Sequence, residues 1–487
     1  MARLIVTDVD ERWPVQLQDA QLVSANSYLT DPQYAAMRNV KLFNLCSSYR
    51  YQTTGYYVSL LAEARGHRVL PSITTIEDLR SVAIVRLVSD ELDELIQRSL
   101  APLKRESFTL SIYLGRNLAK RYEPLCRRLF NQFQAPLLRA QFSKSEDDQW
   151  QLRSIRLLSA NDVPKTHVGF FLDSVDKYFA GRQGHTPRSK TRFDLAILHN
   201  PQEATPPSNA RALKKFMRAA ERMNIASELI TPDDFAHLGE FDALFIRETT
   251  AVNHHTYRFA RRAAREGLVV IDDPQSIVRC TNKVYLAELL SRHRVPTPRT
   301  LVIHRGNALQ AAEQLGYPLV LKRPDSSFSM GVVKVPEPTA LAKHLDDYFA
   351  NSELLVAQEF LPTQFDWRIG IIDRQPLFAA KYFMANNHWQ IIRQDAHGDD
   401  KYGRFETLPV ELAPRKAVSC ALRAANLIGD GFYGVDVKES NGHFYVIEVN
   451  DNPNLDAGCE DAILKDELYR RIMSVFLRRM ERQKAGL

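Results

Sequence analysis

Asp436, Glu448 and Asn450 are the residues whose types and spacing point most directly to chemistry. They lie in Gly431–Gly458, which reads GFYGVDVKESNGHFYVIEVNDNPNLDAG. Glu448 and Asn450 are two apart, so in a strand their side chains share a face. Asp436 belongs to an apolar run, Phe432–Val437, separated from a second run, His443–Val449, by Ser440-Asn441-Gly442. Alternating apolar residues on either side of an Asn-Gly step signal a β-hairpin. Across that hairpin Asp436 can meet the other two. Two carboxylates and an amide oxygen make a hard, oxygen-only set suited to Mg²⁺ shared with phosphates. A hairpin bearing solvated acids fits the same residues, and short motifs also arise by chance.

Residues upstream bear on the choice. Leu319–Lys322 reads as a short apolar strand ending in Lys322, followed by Ser326, Ser327, Ser329 and Gly331. Small side chains let backbone N–H groups approach phosphate oxygens while the lysine supplies a point charge. The stretch is not a Walker A motif, because no G-x-x-x-x-G-K-[ST] occurs. Lys283 sits near the start of a helix over Thr281–His293. Leu354–Phe360 reads as a buried strand with Gln358 and Glu359 near its end, Asp366-Trp367-Arg368 leads into a strand, and Leu377–Phe383 carries Lys381. Arg247 follows the strand Ala243–Ile246, where a bidentate grip on a carboxylate or acyl phosphate is feasible. A solvated surface arginine reads equally well there.

The elements that must position these residues form an alternating β/α chain. Phe193–Leu198, Ala243–Ile246 and Leu268–Ile271 are strands, with helices over Ala210–Met223 and Tyr257–Glu266. That order implies a small open parallel sheet whose ligand crevice lies beyond the strands' carboxyl ends. Helices are expected around Arg415–Ala425 and over Glu467–Arg482. Gly181–Arg192, GRQGHTPRSKTR, has no apolar residue and reads as a linker. Before it, residues 1 to about 190 form an α/β unit. There Val40–Leu45 is a strand and Tyr57–Arg65 a helix closed by Gly66. Tyr49, Arg50 and Tyr51 read as an ordinary βα turn. Arg116, Lys120, Arg121, Arg127, Arg128 and Arg139 fall mostly at helical spacing opposite Leu118, Leu125 and Leu129, as a solvated basic face.

At 487 residues the chain is too long for one core, and two to four domains are expected. A composition of 45% hydrophobic and 25% charged residues is that of a soluble globular protein. No apolar run approaches the ~18 residues of a membrane helix, so no membrane partner is expected. Cys46, Cys126, Cys280, Cys420 and Cys459 show no C-x-x-C spacing, which suggests reduced thiols in the cytoplasm and no zinc motif. A net charge of +6 suits anionic substrates but is too weak to argue for nucleic acid.

Taken in order, Lys283, Lys322 with its Ser/Gly loop, Gln358-Glu359, Asp366-x-Arg368, Lys381, Gly434-Val435-Asp436 and Glu448-Val449-Asn450 form a set. That set resembles the ATP-grasp superfamily, specifically the RimK-like and glutathione-synthetase-like carboxylate–amine ligases. The resemblance covers about residues 193–487, and the N-terminal region is similar to the extra module attached to some RimK-like proteins. It implies an α/β architecture with an ATP-grasp fold of two α+β lobes (281–487), preceded by a small open parallel-sheet pre-grasp domain (191–280) and a further N-terminal α/β domain (1–190). It implies ATP as cofactor with Mg²⁺, or Mn²⁺ in its place. Lys283, Lys322 and Ser326, Ser327, Ser329 and Gly331 would bind phosphates. Gln358, Glu359 and Phe360 would line the adenine, and Asp366 would hold ribose or a hinge network. Asp436, Glu448 and Asn450 would hold the metal. Arg368, Lys381 and Arg393 would stabilise the oxyanions, with Arg247 on the substrate.

The implied reaction is attack of a carboxylate on the γ-phosphate to give an acyl phosphate, then displacement of phosphate by an amine. The substrate would be an amino acid, a peptide or a protein tail, and the enzyme a homo-oligomer. The chain departs from RimK-like enzymes after Lys381, where Asn386–Gln390 and Arg393–Asp400 replace an arginine-containing, glycine-rich stretch. Asp451–Asp456 is also more acidic than usual. The nucleotide chemistry is therefore expected intact and the substrate pocket different, so glutamate addition to a ribosomal protein is not carried over. The alternatives are a catalytically inactive nucleotide-binding regulatory or scaffold protein, and RNA binding through the basic N-terminal region, which would weaken steeply with salt.

Overall fold

The computed structural model describes residues 2–8, 20–38, 40–180, 191–325, 331–350, 352–385, 389–391 and 403–485. The chain divides into two compact units, Met1–Pro187 and Arg188–Leu487. The expected linker falls between them, but its residues 181–190 lie outside the described residues. Among the described residues no helix is long and apolar enough to cross a membrane.

The first unit holds strands β1 (Ala2–Thr7), β2 (Gln21–Ser24), β3 (Val40–Asn44) and β4 (Arg68–Leu70) in a parallel sheet of order β2-β1-β3-β4. Antiparallel β5 (Ser107–Tyr113), β6 (Leu137–Lys144) and β7 (Trp150–Leu157) follow. This second sheet corrects the expectation of a basic helical face. Only Glu123–Gln132 is an α-helix there, and Arg139 lies in β6. Arg116 instead pairs with Asp173 at 2.8 Å. Tyr49 donates to the carbonyl of Asn44 at 2.7 Å, a structural role for that βα turn.

The second unit begins with β8 (Phe193–Leu198), β9 (Ile225–Ile230), β10 (Ala243–Ile246) and β11 (Val269–Ile271), parallel in the order β11-β10-β8-β9. Strand β9 was not foreseen. Next come β12 (Thr300–Ile303), β13 (Leu319–Lys322), β14 (Val332–Val335) and β15 (Leu355–Glu359) in the antiparallel order β12-β15-β13-β14. Leu319, Leu321, Leu355 and Ala357 bury one face of that sheet with Ala308, Ala311 and Leu341 of two helices. Last come β16 (Phe365–Ile372), β17 (Gln375–Phe383), β18 (Phe405–Leu408), β19 (Phe432–Ser440) and β20 (His443–Asp451), antiparallel in the order β18-β17-β16-β19-β20.

One face of this five-stranded sheet is apolar. Trp367, Ile369, Val435, Val437 and Val449 pack against Ala417, Ala421 and Ala424 of the helix Arg415–Ile428. On the other face Phe432 joins a core with Phe216, Phe245, Tyr469 and Phe476, supplied by the parallel sheet and the helices Ala210–Glu221 and Asp466–Ala485. Beyond Phe432 that face turns polar, at Asp436 and Lys438.

Two buried charges at the carboxyl ends of β10 and β11 join the parallel sheet to this hairpin. Asp272 accepts from Phe432 N and Asn452 N, each at 2.6 Å. Arg247 donates to Ser208 Oγ at 3.0 Å and to the carbonyl of Pro453 at 2.8 Å, and also reaches Pro207 and Asn452. In Asp272→Ala both backbone donors lose their acceptor, at about 1–3 kcal/mol for each orphaned group. Its thermal unfolding should begin several degrees below that of the wild type. An unchanged melting curve would show that water replaces the carboxyl group without loss.

Candidate active site

The hairpin turn has positive φ at both central residues, 50° at Asn441 and 72° at Gly442, as a two-residue turn that follows strand twist requires. Its register sets Asp436 opposite Glu448 and Gly434 opposite Asn450. A bulge beyond Asp436, which pairs Val437 with Val446, resets the alternation of β20. Val446 and Val449 therefore both reach the apolar face, while Glu448 and Asn450 face the cleft with Asp436. Asn450 Nδ2 lies 3.3 Å from Asp436 Oδ2.

Cations meet these acids. Arg368 pairs with Asp436 across β16 and β19 and grips both carboxylate oxygens, with Nη2 to Oδ2 at 2.8 Å. Lys283 Nζ is 3.0 Å from Glu448 Oε1. Lys283 begins the helix Lys283–Arg292, which Asn282 caps by accepting from Val284 N and Tyr285 N. Its own N–H donates to Pro324 O at 2.7 Å, tying the helix start to the end of β13, where Lys322 stands. Lys322 and Gln358 are buried on the face of the four-stranded sheet opposite its helices, since their neighbours Leu321 and Ala357 enter the core. Gln358 Nε2 donates to Thr300 Oγ1 at 2.8 Å. Phe360 stands under Lys334 Nζ, 4.1 Å from its ring centre.

Burial opposes the charges of Glu448, Arg368 and Lys322, and neighbours decide the balance. Burial alone would raise the Glu448 carboxyl, but Lys283 and Lys322 outweigh it and hold it below the usual range. Burial also works against the Arg368 charge, yet Asp436 more than restores it. Lys322 is pushed down to about 8, first by burial and then by Lys283 and Lys438, with Glu448 and Asp366 pulling the other way.

Strand alternation corrects two expected site residues, and burial a third. Lys381 pairs opposite Trp367, so it lies on the helix-covered face. There its Nζ sits 5.3 Å from the Phe365 ring centre and 3.5 Å from Glu406. Glu359 pairs opposite the core residue Leu319, and Arg299 holds its carboxylate at 2.6 Å. Arg247 is fully buried with its guanidinium bonded to chain groups, so no substrate carboxylate can be gripped there. Asp366 faces the cleft, but its Oδ1 accepts from Lys438 Nζ at 2.6 Å. Gly331 opens β14 with φ 70°, and its carbonyl accepts from Arg323 N at 2.8 Å. Ser326, Ser327, Ser329 and Arg393 lie outside the described residues, as do most of Asn386–Gln390 and all of Arg393–Asp400.

Sequence reasoning missed Lys438, Lys334 and Tyr382. Lys438 is two residues from Asp436, the same strand period that linked Glu448 to Asn450. Tyr382, opposite Asp366 and hydrogen-bonded to Glu460, gave no such signal. Arg368, Tyr382, Asp436, Glu448 and Asn450 line a cavity of about 1800 Å³, with Thr249–Asn253 on another wall.

Two family models match. One, the RimK-like ATP-grasp domain, spans residues 280–465, and the other, the RimK-like ATP-grasp N-terminal domain, spans residues 25–174. An alpha-aminoadipate–LysW ligase LysX from Saccharolobus solfataricus is 30% identical over 196 residues, 38% of this chain and 67% of that protein. The chain belongs to the RimK-like ATP-grasp family. It is an ATP-dependent, ADP-forming carboxylate–amine ligase with an N-terminal RimK-associated domain. A "probable alpha-L-glutamate ligase" from Vibrio vulnificus is 25% identical over 235 residues, 47% of this chain and 74% of that protein. A D-alanine–D-alanine ligase from Bacillus anthracis, solved with ATP, aligns over 60% of this chain and 99% of its own at 17% identity and a TM-score of 0.48.

If the nucleotide sets its phosphates beside Lys322, they favour the charged form of that lysine, and nucleotide binding should take up a proton near pH 8. Affinity should be undiminished below that pH and fall as pH rises through it. Calorimetry in buffers of different ionisation heat reads the uptake, which Lys322→Arg should abolish. Equal proton uptake in that variant would assign the effect to another group.

Proposed function

We propose that Asp436, Glu448 and Asn450 hold Mg²⁺, that Lys283 and Lys322 hold the ATP phosphates, and that Arg368 neutralises charge on the reacting groups. One observation carries this reading: the lysine that begins the helix Lys283–Arg292 meets an acid of the five-stranded sheet, with Lys283 Nζ 3.0 Å from Glu448 Oε1. The oxygen-only donor set fits a hard dication and lacks the thiolates or imidazoles a softer metal prefers. When bound, Mg²⁺ would neutralise phosphate charge for in-line transfer. The cleft faces of Gln358 and Phe360 suit the adenine. The domains are then 1–190, 191–280 and 281–487, with the grasp formed by the last.

The substrate is an amino acid or a peptide. Relatives named as ligases of alpha-aminoadipate and L-glutamate support the amino-acid half of that statement. The cavity of about 1800 Å³ is large enough to take an amino acid or a peptide beside the nucleotide. Its far wall is acidic at Asp451, Asp456 and Glu460, chemistry that attracts an amine acceptor as its ammonium.

Catalysis then requires positioning more than a protein nucleophile. A substrate carboxylate oxygen attacks the γ-phosphorus and ADP departs. The amine nitrogen adds to the acyl carbon, phosphate leaves, and the amine proton passes to a carboxylate of the acidic wall. Arg368, which stands against Asp436 on the cleft face, offers a positive charge already in place beside the metal ligands.

Purified protein given ATP, Mg²⁺ and pools of amino acids and peptides should release ADP and phosphate only with the right pair, and mass spectrometry should find the amide. Arg368→Ala should lower kcat by about 10²–10³-fold, the usual loss on removing a preorganised charge stabiliser. Glu448→Ala should abolish turnover, and wild-type rates in that variant would remove the metal assignment.

A further inference from the structure

Glu248 immediately follows the structural Arg247 and is itself buried, at 1% exposure. Neither of its carboxylate oxygens has a hydrogen-bond partner among the described residues, and His255 Nε2 likewise has none. The two groups stand 2.5 Å apart, Nε2 to Oε1, without hydrogen-bond geometry. An orphaned buried carboxylate is costly, and a contact that fails as a hydrogen bond does not relieve it. The His254 ring lies 3.8 Å from the His255 ring, centre to centre. Ligating atoms of Glu248, His254 and His255 all fall within 4.8 Å of one another.

We propose that Glu248, His254 and His255 bind a divalent transition metal of the Zn²⁺ class, at a site separate from the oxygen set around Asp436. Two imidazoles and a carboxylate are zinc chemistry, not magnesium chemistry. The three protein ligands leave a fourth position for water. Ligand atoms on tetrahedral zinc are about 3.3 Å apart, from Zn–N bonds near 2.0–2.1 Å. Metal entry would thus widen the 2.5 Å contact and draw in the more distant pair. His254 Nδ1 is 3.1 Å from the buried Thr256 Oγ1. That hydrogen bond orients the ring and leaves Nε2 for the metal, the usual outer partnership of a ligating histidine. His254 and His255 are partly exposed, which gives an ion access.

The site's position gives it work. Glu248 and His254 bracket Thr249–Asn253, the loop that lines the cavity. Thr250 Oγ1 donates to Asp451 at 2.7 Å, and Asn452 Nδ2 donates to the Glu248 carbonyl at 2.5 Å. Metal at this point clamps both ends of the loop and, through Asp451 and Asn452, steadies the turn after Asn450. It is a positioning site for the cavity wall.

The test uses the full-length protein, stripped with chelator, reloaded with Zn²⁺ and desalted. Elemental analysis should find zinc retained by the wild type and by Glu448→Gln, and lost from Glu248→Gln and His254→Ala. Co²⁺ in place of zinc should give tetrahedral ligand-field bands in the first two proteins only. Zinc-edge X-ray absorption of the wild type should show imidazole scattering, a readout that stands even if a variant fails to fold. No retained zinc, an oxygen-only edge spectrum, or equal retention by folded Glu248→Gln would overturn the proposal.

Discussion

The bond between Asp272 and the two backbone N–H groups that frame the hairpin is the constraint on which the cleft depends. Phe432 N begins β19 and Asn452 N follows β20, so a single carboxyl group fixes both strands at the base of the site. Burial and the nearby Asp451 push Asp272 well above the usual carboxylate range. Arg247 stands beside it, pushed down to about 10 by burial while Asp272 pulls the other way. A buried polar group is expensive when orphaned and tolerable when chain groups fill its hydrogen-bonding valences, as they do for both side chains here. This explains why an arginine at a strand's carboxyl end, a place that usually meets ligand, is not free to do so. It is occupied by Pro207, Ser208, Asn452 and Pro453.

The hairpin was legible because its information is local. An Asn-Gly turn, a period of two and the residue types are all properties of one short stretch. Strand alternation also carries a cost for anyone reading motifs. Asp366 and Arg368 point into the cleft, whereas Lys381 points away, although all three stand in neighbouring strands. The difference is register: Trp367, not Arg368, is the partner of Lys381. Register between strands separated by a turn at Asp373-Arg374 follows from the bulge near Gly370 and Ile371, where Gly370 and Pro376 mark an irregular place but do not fix the register beyond it. Glu359 differs from Gln358 by simple alternation, which sets its side chain on the face of Leu319 and Gln358 on the opposite face.

The N-terminal unit was less legible. Its basic residues recur at intervals that a helix would satisfy, yet Arg116 and Arg139 belong to a turn and to a strand. In β6 and β7 apolar and polar residues alternate, as in Leu138, Ala140 and Phe142 against Arg139, Gln141 and Ser143. The period of two was therefore present and was outvoted by charge counting over too long a window. Strand β9 escaped for a different reason. Its burial pattern shows only Ile225 and Ile230 fully buried, as expected of an edge strand whose packing is supplied by one neighbour.

Charge balance in the cleft constrains how it can fill. Glu448 is neutralised by Lys283 and Asp436 by Arg368, so the acids are already paired. On the assignment proposed above, a dication arriving alone would have to displace those cations and leave them unpaired in a buried site. A triphosphate arriving alone would attract the lysines but place its own charge beside Asp436 and Glu448. Either partial occupancy strands charge at low dielectric, where an unpaired ion is most costly. Metal and nucleotide together avoid both penalties, because negative phosphate oxygens can take Lys283 and Arg368 as the metal takes their carboxylates. The same ion pairs that hold the cleft in shape therefore favour binding of the metal–nucleotide complex over either component.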